Sequence, residues 1–184
     1  LEKTRQLRIL ICGDSYSHED LIIDDFKPTY TWISLLKNDY TVHSVGQAGA
    51  SNLTILEQVL KNTRNKEAWD YIIVSLAPLL RDSNSLKHSI KIVHTIIKQV
   101  NQIAHNSYVW SCFEDFRNIV SIDWQPFVAY NEQFIKMQNE EKHKTTHYTG
   151  CHFTQEGNKA VYEHMKYIIN RGEHNNVIDK RSST

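Results

Sequence analysis

Two kinds of hydrophobic pattern alternate along the chain. Arg8-Ile9-Leu10-Ile11-Cys12 is a short β-rich apolar run that stops at Gly13-Asp14-Ser15, which predicts a buried strand that delivers a loop. Trp32, Ile33, Leu35 and Leu36 then recur at helical spacing before Asn38-Asp39, and Tyr40-Thr41-Val42-His43-Ser44 reads as a second strand broken by Gly46 and Gly49. Ser51 is placed to cap a helix whose apolar residues are Leu53, Leu56, Val59 and Leu60, and Asp70 opens a third strand over residues 71–75. The clearest helix spans 85–104, where Leu86, Ile90, Val93, Ile97, Val100 and Ala104 step by three and four. A fourth strand follows at Tyr108-Val109-Trp110-Ser111, and a helix is expected within 127–141. In the last element Thr154 is the expected N-cap, Glu156 lies in the first turn, and Ala160, Val161, Met165, Ile168 and Ile169 form the apolar stripe.

Strands that alternate with helices imply right-handed βαβ crossovers. The expected architecture is therefore a three-layer α/β/α fold around a mostly parallel sheet of four to five strands. Residues 1–184 read as a single domain, with 172–184 as a frayed tail. Sites in such folds lie beyond the carboxyl ends of the strands. That rule places Gly13-Asp14-Ser15, the segment 46–52 and the segment after Ser75 on one rim.

Composition narrows the partners. The 184 residues carry 21 Lys and Arg against 21 Asp and Glu, so there is no basic field to gather phosphates, and nucleic acid is not an expected partner. No apolar run has the length of a bilayer crossing, which predicts no membrane partner. Cys12, Cys112 and Cys151 form an odd set without a C-x-x-C pair, which fits a reducing, cytoplasmic setting better than a disulfide scaffold.

A serine released from a strand end at a tight glycine-containing turn can present its hydroxyl to a ligand, and a nucleophilic serine needs a base nearby. Ser15 is that serine. His152, in Thr149-Gly150-Cys151-His152-Phe153-Thr154 just before the last helix, is the best placed base. Asp14 reads as a structural carboxylate that binds backbone amides and fixes the loop carrying Ser15. His143, His147 and His152 lack the carboxylate or Cys pattern of a zinc site, so no metal is expected. Cys151 is read as a packing thiol, and Trp110, Trp124 and Phe127 are assigned no role. No phosphate-binding glycine loop is present, and no cofactor is expected.

The sequence resembles the SGNH, or GDSL-type, hydrolase family of esterases, lipases and related acyl hydrolases and transferases, which implies the flavodoxin-like SGNH-hydrolase form of this fold. Gly13-Asp14-Ser15-Tyr16-Ser17 resembles the family's first block, whose serine is the nucleophile, and Trp32-Ile33-Ser34-Leu35-Leu36 the helix that follows it. Val45-Gly46-Gln47-Ala48-Gly49-Ala50-Ser51 is similar to the second block, which implies that the Gly49 N–H helps to form an oxyanion hole with that of Ser15. His152-Phe153-Thr154-Gln155-Glu156-Gly157 resembles the final block and implies that His152 is the general base.

Two positions depart from the family. Thr149 stands where the acid stands, three residues before the histidine, and Ala77-Pro78-Leu79 replaces the Gly-x-Asn segment that completes the oxyanion hole. Asn52 and Asn84 are the neighbouring candidates for the missing donor. The implied activity is metal-independent hydrolysis of a short acyl ester on a carbohydrate or small molecule through a Ser15–His152 dyad. The alternatives are a catalytically impaired binding or structural module on the same fold and an O-acyltransferase using the same serine.

Overall fold

The structure, a computed structural model, describes residues 6–19, 30–64, 69–81, 85–103, 106–111, 113, 129–130, 153 and 155–171. Its strands are β1 (Arg8–Cys12), β2 (Thr41–Ser44), β3 (Tyr71–Ser75), β4 (Ser107–Ser111) and β5 (Ala129–Tyr130). They pair in the order β2-β1-β3-β4-β5, and every pair is parallel. The helices are α1 (Trp32–Leu36), α2 (Asn52–Thr63), α3 (Leu86–Ile103) and α4 (Gln155–Arg171). None of the described helices is long and apolar enough to cross a membrane.

The central strands read as continuous apolar runs because both of their faces are covered. Leu10 and Cys12 of β1, Ile72 and Val74 of β3 and Val109 of β4 face a core closed by α2 and α3. Ile9, Ile11, Tyr71, Ile73, Tyr108 and Trp110, the alternate positions, face a second core closed by α1 and α4. The chain moves from β1 to β2 on one side and then crosses back to β3 on the other. Right-handed crossovers put α1 and α2 on opposite faces when the direction reverses in this way. The reversal opens a crevice between the carboxyl ends of β1 and β3.

Local chemistry sets the helix starts. Thr31 and Ser34 form a reciprocal capping box at the head of α1, with the Ser34 N–H donating to Thr31 Oγ1 at 3.2 Å and the Thr31 N–H to Ser34 Oγ at 2.9 Å. Ser51 caps α2, accepting from the Thr54 N–H at 3.4 Å.

The structure differs from the sequence expectation in the face that α2 buries. In α2, Leu53 is 46% exposed and the buried positions are Asn52, Ile55 and Val59. The helix begins with Asn52 turned inward by polar contacts, which rotates the buried face away from Leu53. Within the range 127–141, where a helix is expected, Ala129–Tyr130 form the edge strand β5 and pair with Trp110 and Ser111; the rest of that range lies outside the described residues, as does Thr154.

Gly46 is where loop packing leaves no room for a side chain. A Cβ there would sit 1.9 Å from the carbonyl oxygen of Ser17. That carbonyl also accepts the Ser44 hydroxyl at 2.8 Å, so it is held in place. Gly46→Ala is expected to destabilise the fold by about 3 kcal/mol through this overpacking, as read by urea unfolding; wild-type stability in the variant would contradict the close approach of the two loops.

Candidate active site

The first loop leaves β1 through Gly13, whose backbone is clamped from α2. Gln58 Oε1 accepts the Gly13 N–H at 2.9 Å, and Gln58 Nε2 donates to the Gly13 carbonyl at 3.2 Å. A Cβ on Gly13 would lie 2.5 Å from Ser17 Oγ and 2.9 Å from Ser75 Cβ. The chain then makes a single 3₁₀ turn over Ser15–Ser17, capped by Asp14, whose Oδ1 accepts the Tyr16 N–H at 3.1 Å. Ser15 opens this turn and is half-buried at the rim, directly beyond the end of β1.

Asp14 is fully buried. Burial is the largest influence on its carboxyl and pushes its pKa up to about 6; the Tyr16 N–H and the positive charge of Arg81 act in the opposite direction. Arg81 ends a short 3₁₀ turn, Leu79–Arg81, beyond β3. Its Nη1 donates to Asp14 Oδ2 at 3.3 Å and to the Ala50 carbonyl at 2.9 Å. One guanidinium thus ties together the three loops that the sequence places on this rim.

In the second loop the Ala50 N–H closes a turn on the Gln47 carbonyl at 3.0 Å, and Gly49 occupies the left-handed region at φ +74. That conformation is why glycine stands there. Gly49 is exposed, and nothing lies within 4 Å of where its Cβ would be. The loop is held against the first by the Gln47 N–H, which donates to the Gly13 carbonyl at 3.1 Å.

Asn52 has a different part from the one expected of it. Its Oδ1 accepts the Ala77 N–H at 3.0 Å, and its Nδ2 donates to the carbonyls of Ala77 at 2.9 Å and Pro78 at 3.4 Å. The Ala77 N–H fixes the orientation of the amide, and its nitrogen faces two backbone carbonyls. Asn52 therefore brackets the exit of β3 instead of offering a donor to an oxyanion. Leu79, at the position where the resemblance places an asparagine, is fully buried in the core formed with α2 and α3.

His152, Thr149, Asn84, Cys112, Cys151, His143, His147, Trp124 and Phe127 lie outside the described residues. Phe153, which follows His152 in the chain, is described and buried. Its ring meets that of Tyr16, which follows Ser15, edge to face at a centroid distance of 4.9 Å. Trp110 is a core residue in edge contact with Trp32. Among the described residues no three of His, Cys, Asp and Glu converge as a metal site requires.

Sequence reasoning missed Gln58 and Arg81. Their partners are far away in the chain, and only the pairing of β1 with β3 brings them to the rim.

The raised Asp14 pKa has a definite sign for stability. Protonation of Asp14 favours the folded state, so its contribution is complete below the unfolded value near 3.8 and is lost as pH rises through about 6. The unfolding free energy of the protein relative to Asp14→Asn is expected to fall by up to about 3 kcal/mol between pH 4 and pH 7. Urea titrations of both proteins across that range check this, and a difference that grows with pH would show that Arg81 and the Tyr16 N–H outweigh burial.

No protein-family model and no curated protein matches the sequence. Solved structures do match the fold. The psychrotrophic esterase EstA from Pseudoalteromonas sp., solved in a form inhibited by monoethylphosphonate, superposes with a TM-score of 0.61 at 14% identity, covering 89% of this chain and 97% of its own. AlinE4, an SGNH-hydrolase family esterase, gives 0.57 at 13% identity over 92% of this chain and 98% of its own. A catalytic mutant of Axe2, an acetylxylan esterase from Geobacillus stearothermophilus, gives 0.53 at 9% identity, with 89% and 94% covered. Order of strands, the placing of the helices and these likenesses agree: the chain has the three-layer α/β/α fold of the SGNH hydrolases.

Proposed function

We propose that the protein is a carboxylic-ester hydrolase in which Ser15 is the nucleophile and His152 the general base. The observation that carries this reading is the contact between the Tyr16 and Phe153 rings, because each is the immediate chain neighbour of one member of the dyad. This contact supports the reading that the segments carrying Ser15 and His152 lie near one another.

Ser15 Oγ attacks the ester carbonyl carbon while its proton passes to His152, and the carbonyl oxygen becomes an oxyanion held by the N–H groups of Ser15 and Gly49. Collapse of the intermediate breaks the bond to the leaving alcohol, which takes the proton from His152. Water then attacks the acyl-enzyme, gives its proton to His152, and releases the carboxylic acid and free Ser15. Thr149 in place of an acid leaves the imidazolium without a neutralising carboxylate. The serine-protease precedent puts the loss of that charge at about 10⁴ in kcat. The substrate is a short acyl ester, such as acetyl on a carbohydrate or small molecule, a reading supported by the likeness to the acetylxylan esterase. An acceptor hydroxyl in place of water makes the same acyl-enzyme a transferase.

A second reading is favoured by Leu79 and Asn52. The first is buried in the core and the second has its amide nitrogen facing two backbone carbonyls. Loss of a side-chain oxyanion donor costs about 3 kcal/mol of transition-state stabilisation. On this reading the fold is a binding or structural module that keeps the rim for a ligand.

Hydrolysis of p-nitrophenyl acetate and labelling by a fluorophosphonate separate the two. The esterase reading expects labelling of the wild type, its loss in Ser15→Ala and His152→Ala, and a fall in kcat/KM of about 10³-fold or more in each variant. A folded wild type that is neither labelled nor active supports the binding module, and wild-type activity in Ser15→Ala contradicts the esterase reading.

A further inference from the structure

We propose that Asn158 is a positioning residue that holds the segment carrying His152 in register with the loop carrying Ser15; this rests on the assignment of those two residues as the dyad. Asn158 lies in α4 and is 6% exposed. Its Oδ1 accepts the Trp32 N–H at 3.0 Å, and its Nδ2 donates to the Phe153 carbonyl at 3.1 Å. Trp32 in turn donates from its indole Nε1 to the Tyr16 carbonyl at 2.6 Å. A buried path of hydrogen bonds therefore runs from the residue after Ser15, through Trp32 and Asn158, to the residue after His152.

Each end of the amide is engaged. The Trp32 N–H is the first of α1 and has no partner within that helix, so it needs an acceptor. The Phe153 carbonyl accepts from the same side chain, since an amide carries a donor and an acceptor in one plane. Phe153 is fixed from its ring side by Tyr16 and from its backbone by Asn158, which leaves one peptide link between this fixed point and His152. Docking of α4 does not depend on Asn158 alone. Val161, Met165, Ile168 and Ile169 bury its apolar face, and the Tyr162 hydroxyl donates to Asp39 Oδ2 at 2.7 Å. Removing Asn158 thus takes away this hold on the Phe153 carbonyl while the apolar face of the helix stays seated.

Asn158→Asp keeps the acceptor for Trp32 and sets a carboxylate oxygen against the Phe153 carbonyl. Asn158→Ala removes both bonds and serves where the charged variant fails to fold. Tyr162→Phe, which loses a hydrogen bond of the same helix away from the rim, controls for stability. With p-nitrophenyl acetate well below the unfolding temperature, the Asn158 variants are expected to lose about 10-fold to 100-fold in kcat with KM changed less than about twofold, since small misplacements of reacting groups act at this scale. Fluorophosphonate labelling of Ser15 slows in parallel, and Tyr162→Phe keeps wild-type kcat. Wild-type kcat in a folded Asn158 variant, or the same loss in Tyr162→Phe, overturns the positioning role while leaving the dyad standing. A wild type that the probe does not label overturns the dyad and the positioning role with it.

Discussion

A carboxylate taken out of water at the end of a buried strand must find donors, and the rim of this sheet is organised around that requirement at Asp14. Its two oxygens accept from the Tyr16 N–H, which shapes the turn that presents Ser15, and from Arg81, which reaches in from the loop beyond β3. Because Arg81 also holds the Ala50 carbonyl next to Gly49, the loops after β1, β2 and β3 are fastened at one point. Gln58 adds a second fastening on the Gly13 backbone from α2. A rim held in this way is preorganised, which is the property that lets fixed N–H groups stabilise charge without rearranging.

The opposite face of the sheet contributes a second set of constraints. Tyr16, Trp32, Phe153 and Asn158 join the serine loop to α1 and α4 through buried hydrogen bonds and edge-to-face aromatic contacts. The two cores thus meet at the serine loop: Asp14 is held from the side of α2 and β3, and Tyr16 from the side of α1 and α4. Loss of an acid at Thr149 and of a side-chain donor at Leu79 weakens the electrostatic part of catalysis on the proposed reading. Positional rigidity then carries more of the rate.

Much of the fold was legible because the strands are buried on both faces and appear as runs such as Arg8-Ile9-Leu10-Ile11-Cys12, while α3 and α4 keep clean helical periods. The pattern misled at Leu53, where the polar contacts of Asn52 with the β3 exit, and not hydrophobicity, set the face that α2 buries. The short strand at Ala129–Tyr130 was not legible, because two residues carry no period and only pairing with β4 defines them. The break in the pattern at Gly49 was legible, and its positive φ gives the reason for the glycine, while its part in the site came only from the family resemblance. Arg81 and Asn158 were not legible. An arginine after a strand and an asparagine in a helix carry no local signature, and their partners, Asp14 and Trp32, meet them only through tertiary packing.

The most direct measurement is a crystal structure of the protein reacted with a phosphonate ester. The expected adduct has a covalent bond from Ser15 Oγ to phosphorus, a phosphoryl oxygen within hydrogen-bond distance of the Ser15 and Gly49 N–H groups, and the His152 imidazole beside Ser15 Oγ. An adduct on another residue, or a phosphoryl oxygen turned away from Gly49 with His152 remote from Ser15, would contradict the proposed mechanism.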